Sequence, residues 1–230
     1  MDRTKKTSMD PDIGEQGLRA RGKRERRRRL RDAARKVILD RGYAGATTRE
    51  IAAHAEVAIG TLFVYATEKR DLLFLVINDE LDAMADSAIR ELDPGQPVVD
   101  QLLTLFRPLY KYFEHNAAIG RYGIHEMFLL QVERRDMLGP EAKRVVERGE
   151  KMRRTLSEIV ERSKKEGALS TTESGQTIAQ MLLWFHWCNV QSWLSATKSP
   201  KADTGFRRLR RLFLMFINGL GPASRDSSGT

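Results

Sequence analysis

Residues 42–73, GYAGATTREIAAHAEVAIGTLFVYATEKRDLL, restrict the fold more than any other part of the chain. Thr47-Thr48-Arg49-Glu50 is a helix start, because a threonine hydroxyl can accept from the free N–H groups of a first turn. The helix it opens runs to about Ala55, with Ile51, Ala52 and Ala55 inward. A break at Glu56-Val57 leads to a second short helix over about 58–64. Thr67-Glu68-Lys69 then restarts the chain as a long helix with Leu72, Leu73, Val76, Ile77 and Leu81 on one side. Ala52, Ala53 and Ala55 let the helices approach closely, and Val57 and Leu62 can plug their shared core. Two short helices joined by a tight turn form a helix-turn-helix, which sets its second helix in the DNA major groove. That helix presents Ala58, Ile59, Thr61 and Val64-Tyr65 outward. Lys69 stands at a helix start, beside free N–H groups that attract phosphate.

The charge is concentrated at the same end. The chain carries a formal +9, but residues 1–71 hold 18 Lys/Arg against 11 Asp/Glu, and residues 72–230 only 22 against 20. A localised basic patch is what attraction to a phosphate backbone requires. Residues 1–23 are polar and aperiodic at their start and read as a disordered basic arm. Arg26-Arg27-Arg28-Arg29 then runs into a helix whose Leu30, Ala33, Ala34, Val37 and Ile38 recur at helical spacing, with Gly42 ending it. The arginine run has two readings: an arm along the DNA backbone or minor groove, or a solvated helix start that raises nonspecific affinity.

The combination of a helix ending at Gly42-Tyr43, then Thr47-Thr48, Ile51-Ala52, Val57, Gly60-Thr61-Leu62-Phe63, Lys69 and Leu72-Leu73 resembles the tetracycline-repressor (TetR) family. The resemblance covers about a fifth of the chain and is specific as a combination. It implies backbone-phosphate contacts at Thr48 and Lys69. It implies phosphate or base contacts at Thr61, Phe63 and Tyr65 and from Arg49, with Ala58, Ile59, Gly60 and Val64 completing the DNA-facing set. The plainer alternative is that Thr48 only caps and Phe63 only packs. Ala58 and Ile59 depart from the family pattern, in which polar residues are common, and Ala66 stands where Phe is frequent. Specificity should therefore lean on thymine methyl contacts, on Arg49 and on DNA shape.

The rest of the chain is expected to be helical, giving an all-α fold: a helix-turn-helix domain over 24–71, a larger domain over 72–221 and a disordered tail over 222–230. The helix at 69–92 links the two domains, and residues 99–113 form one apolar stripe. The segment 173–197 is apolar nearly all round and holds all three tryptophans, so it must be buried on more than one side. The family resemblance implies a homodimer through this helix and the one at 206–220, with half-sites about one DNA turn apart. It also implies a small-molecule effector, here hydrophobic or aromatic. Tyr110, Phe113, Tyr122, Met127, Phe128, Trp184, His186, Trp187, Cys188 and Gln191 are candidate lining residues, although core packing is the plainer role for each.

Several function classes find no support. No apolar run is long enough for a membrane span, and no apolar segment near the start resembles a signal peptide. The single Cys188 suits a reducing cytoplasm. His54, His115, His125 and His186 show no metal-ligand spacing, so no metal or cofactor is expected. No nucleotide loop, nucleophile elbow or triad pattern is present, so no catalytic residue is named. The expected function is a transcriptional repressor released from a palindromic operator by its effector. The alternatives are an architectural or nonspecific DNA-binding protein, and a DNA-processing enzyme targeted by a helix-turn-helix.

Overall fold

The computed structural model describes residues 11–130 and 133–219, with side chains from residue 19 onward. These residues fold as helices α1 (Pro11–Gly45), α2 (Thr48–His54), α3 (Ile59–Tyr65), α4 (Lys69–Arg90), α5 (Val98–Thr104), α6 (Arg107–His115), α7 (Ala117–Leu129), α8 (Pro140–Lys165), α9 (Gly175–Ala196) and α10 (Ala202–Gly219). No strand occurs among the described residues, so the all-α expectation holds.

Leu30, Ala34, Val37 and Ile38 of α1 are buried with Ile51, Ala52 and Ala55 around α2, Leu62 of α3, and Leu72 and Leu73 of α4. This small core continues without a break into that of the larger body, where α8 packs on α4 and α9, and α10 on α9 and α6. Asp71 pins the junction. Its buried carboxylate accepts from Thr67 N (3.0 Å) and Thr67 Oγ1 (2.8 Å) beside α4, and from Ala142 N (2.9 Å) in the first turn of α8.

Two expectations need correction. Helix α1 begins at Pro11, so residues 11–23 are helical rather than a disordered arm; residues 1–10 and the expected tail at 222–230 lie outside the described residues. Arg26–Arg29 accordingly stand on successive faces of a helix. Secondly, the apolar stripe over 99–113 is two helices. Pro108 has no N–H and its ring would meet the carbonyl of Thr104, where α5 stops; α6 restarts with this proline in its first turn.

Candidate DNA-reading surface and ligand cavity

The turn between α2 and α3 is built by backbone hydrogen bonding. Val57 N donates to Ala52 O and Glu56 N to Ala53 O, both at 3.1 Å. That pair is a Schellman closure, which places Glu56 in the left-handed region at φ 53°. At the N-terminus of α2, Thr47 does the capping: its hydroxyl accepts from Glu50 N at 3.2 Å. Thr48 is thereby left half-exposed in the first turn beside exposed Arg49.

Helix α3 is held by one buried residue, Leu62, and turns the rest of its apolar content outward. Ile59 is 43 % exposed, Phe63 47 % and Val64 73 %, with Ala58 and Gly60 also exposed and Thr61 half-buried. Tyr65 instead ties α3 to α1: its hydroxyl accepts from Arg26 Nε (3.4 Å) and donates to Lys23 O (3.3 Å). Lys69 is likewise engaged, donating to Ala44 O (3.1 Å) with its ammonium 4.7 Å from the centre of the Tyr43 ring.

A cavity of about 630 Å³, counting its open mouth, lies in the larger body. Helix α4 supplies Leu81, Met84 and Ala85, and the α5–α6 corner supplies Leu105, Phe106, Pro108 and Leu109. Helix α8 adds Val145, Arg148, Gly149 and Met152; Met127 comes from α7, and Leu183, His186 and Trp187 from α9. The wall is apolar with two polar exceptions. His186 stacks on Phe106 at 4.2 Å between ring centres, its Nδ1 is buried without a partner, and burial pushes its imidazole down to about 3. It is neutral at any physiological pH. Arg148 donates through Nη1 to Asp82 (2.5 Å) and Asn78 Oδ1 (3.1 Å), while its buried Nη2 has no partner. Burial holds its pKa below that of a free guanidinium.

Of the lining candidates read from sequence, the cavity gathers Met127, His186 and Trp187. Tyr110 and Phe113 are fully buried core, with the Tyr110 hydroxyl accepting from Asn189 Nδ2 at 2.7 Å. Tyr122 lies in a surface cleft between α1 and α7, its ring 5.4 Å from that of Tyr43. Phe128, Trp184 and Cys188 are exposed, and half-buried Gln191 is not in the wall. Sequence reasoning missed the α8 wall. Its signal was there: Val145, Arg148, Gly149 and Met152 fall at helical spacing on one face of a helix that otherwise reads as solvated.

Among the described residues no cluster of His, Cys, Asp and Glu could hold a metal ion, and no helix is long and apolar enough to cross a membrane.

Residues 30–76 match the family model for bacterial regulatory proteins of the tetR family. The chain is 35% identical over 85 residues to the HTH-type transcriptional regulator PksA of Bacillus subtilis, covering 35% of this chain and 42% of that protein. It is 35% identical over 88 residues to the HTH-type transcriptional repressor KstR of Mycobacterium tuberculosis, covering 36% and 40%. The matches thus span about two fifths of these relatives' length. The fold extends further. The TetR-family repressor FadR of Thermus thermophilus, solved with lauroyl-CoA, superposes with a TM-score of 0.62 at 22% identity, covering 89% of this chain and 98% of that one. FadR of Bacillus subtilis, solved with stearoyl-CoA, gives 0.61 at 16% identity, covering 80% and 96%.

Proposed function

We propose that this chain, a member of the TetR family of bacterial regulatory proteins, is a cytoplasmic transcriptional repressor rather than an enzyme. In this reading a two-fold dimer binds a palindromic operator and leaves it when a ligand with an apolar body fills the cavity. The observation that carries the reading is that one helix serves both ends. Helix α4 starts at Lys69, whose ammonium bonds the end of α1, and two turns past Leu73 it lines the cavity with Leu81, Met84 and Ala85. A ligand that prefers one position of α4 must shift the reading heads with it.

The apolar, outward Ile59, Phe63 and Val64 support a major-groove role for α3 built on thymine methyls, with Thr48, Arg49 and Lys69 toward phosphates or base edges. Tyr65 and Lys69 reach DNA from side chains already fixed against α1, which limits the ordering cost. The outward Trp184 of α9 and Met215 of α10, 52 % and 64 % exposed, support a dimer through these helices. Fatty acyl-CoA thioesters are the first ligands to try, because the walls suit an acyl chain and two proteins of the same fold were solved with such esters.

The test is selection of bound sites from random DNA, repeated with acyl-CoA esters of increasing chain length. A palindrome with half-sites about one helical turn apart, released by one range of chain lengths, is expected. Uniform coating of DNA without a preferred site would overturn the reading.

A further inference from the structure

Between the cavity and the reading head runs a continuous ladder of guanidinium and carboxylate groups. Arg148 at the cavity wall holds Asp82 Oδ1 at 2.5 Å. The other oxygen of Asp82 accepts from Arg144 at 2.6 Å. Arg144 also bonds Asp79 at 2.9 Å and Glu141 at 2.8 Å. Both of those carboxylates are shared with Arg27 of α1, Asp79 at 2.6 Å and Glu141 at 2.9 Å, with Arg31 at 3.7 Å from Asp79. Asn78 fixes the centre by donating to the backbone oxygen and carboxylate of Glu141.

The ladder is a competition, because every carboxylate in it is shared by at least two arginines. Displacing one guanidinium therefore redistributes the next. Its last member, Arg27, lies one helical turn before Leu30, at the edge of the core that holds α2 and α3 against α1. Its first member is incomplete: Arg148 lines the cavity, and its buried Nη2 bonds nothing. An unpaired buried donor is costly, so a ligand that offers an acceptor oxygen there gains by engaging it.

Resting on the ligand-released reading above, we propose that Arg148 is the positioning residue that senses the ligand. A ligand oxygen taken up by Nη2 draws the guanidinium from Asp82 into the cavity. Asp82 then claims Arg144, Arg144 leaves Asp79 and Glu141, and Arg27, which already bonds both, is left to hold them, shifting α1 against α4. The ligand class this selects is an apolar chain or ring carrying a carbonyl, carboxylate or phosphate oxygen near its wall contact with α8. A pure hydrocarbon fills the cavity without moving the ladder.

The test needs neither DNA nor ligand. Amide hydrogen exchange over residues 24–41 is compared in the full-length wild-type chain, Arg148→Met, Arg144→Met and the double variant. Removing Arg148 should speed exchange in this stretch about three- to tenfold while leaving α9 and α10 unchanged. In the Arg144→Met background the same substitution should add nothing, because Arg144 carries the ladder from Asp82 to both Asp79 and Glu141 and the ladder is already cut. Unchanged exchange in Arg148→Met, or equal increments in both backgrounds, would overturn the ladder. Should the Met variant not fold, Arg148→Gln carries the same test, since its shorter neutral side chain cannot bring a donor to the Nη1 position between Asp82 and Asn78. Failure here leaves ligand-released repression standing, and failure of ligand release leaves the ladder standing.

Discussion

Glu56 sits at φ 53° because the Schellman closure after α2 requires a left-handed residue there. The same closure ends α8, where Gly167 N donates to Lys164 O and Ala168 N to Ser163 O, but there the left-handed position is a glycine at φ 77°. A side chain with a Cβ is disfavoured in this conformation, and the Glu56–Arg29 pair at 3.5 Å is too exposed to offset much of it. Glu56→Gly is therefore expected to stabilise the chain by about 0.5–1 kcal/mol, read from the midpoint of urea unfolding; a lower midpoint would mean that the glutamate is held by something stronger than that pair. His186 gives a second expectation, about pH. Its imidazole is pushed from an ordinary 6.5 down to about 3 by burial, so between those values the unfolded chain binds a proton that the folded chain does not. Stability from this group is complete above about 6.5 and falls with pH toward 3, by up to about 1.4 kcal/mol per unit. Unfolding of the wild type and His186→Phe at several pH values from 7.5 to 4.5 should show a steeper acid limb in the wild type. Parallel limbs would refute the assignment.

Helix α8 is where single atoms decide how whole elements fit. At Gly139, just before it, a Cβ would overlap the Asp71 carboxylate and the Thr67 hydroxyl. Gly139→Ala must therefore loosen the seat of α8 on α4, at a cost of about 2–3 kcal/mol, visible as a drop in thermal midpoint; an unchanged midpoint would show that Asp71 does not set this junction. Gly149 is the opposite case. A Cβ there meets nothing within 4 Å, because the position faces the cavity. Gly149→Ala should raise stability by about 0.5–1 kcal/mol through helix propensity, and Gly149→Leu should keep the fold while lowering the affinity of a cavity ligand at least tenfold. Equal affinity in Gly149→Leu, measured by calorimetry with an acyl-CoA ester, would place the ligand elsewhere. The helices themselves were readable from apolar spacing because burial imposes the 3.6-residue period. The cavity was less so: periodicity marks what points inward but not whether the space inside is full. Hence Tyr110 and Phe113 belong to packed core, whereas Val145 and Met152, on a helix dominated by solvated charge, line the open space.

At the scale of the molecule, the reading head was the most legible part, since its turn, caps and small residues are local chemistry written within residues 42–73. What joins head to body was not legible. The Arg27–Asp79 and Arg27–Glu141 pairs link residues 52 and 114 positions apart, and no local pattern announces them. Assembly lies between these cases. The segment at 173–197 has too much apolar surface for one core, and α9 buries Ile178, Leu182, Val190 and Leu194 while leaving Trp184 on its outer side. The exposed Trp184 of α9 and the exposed Met215 of α10 are surface that a second copy of the chain would bury. If so, Trp184→Arg places a charge at the centre of that contact, where it would face its own symmetry mate across the two-fold axis. Sedimentation should then show a monomer that keeps its helical circular dichroism. Its operator affinity should fall by about 100-fold or more, because two linked half-site contacts become one. A variant that stays dimeric would move the interface off α9, and a monomer that binds the operator as well as the wild type would remove the need for two heads.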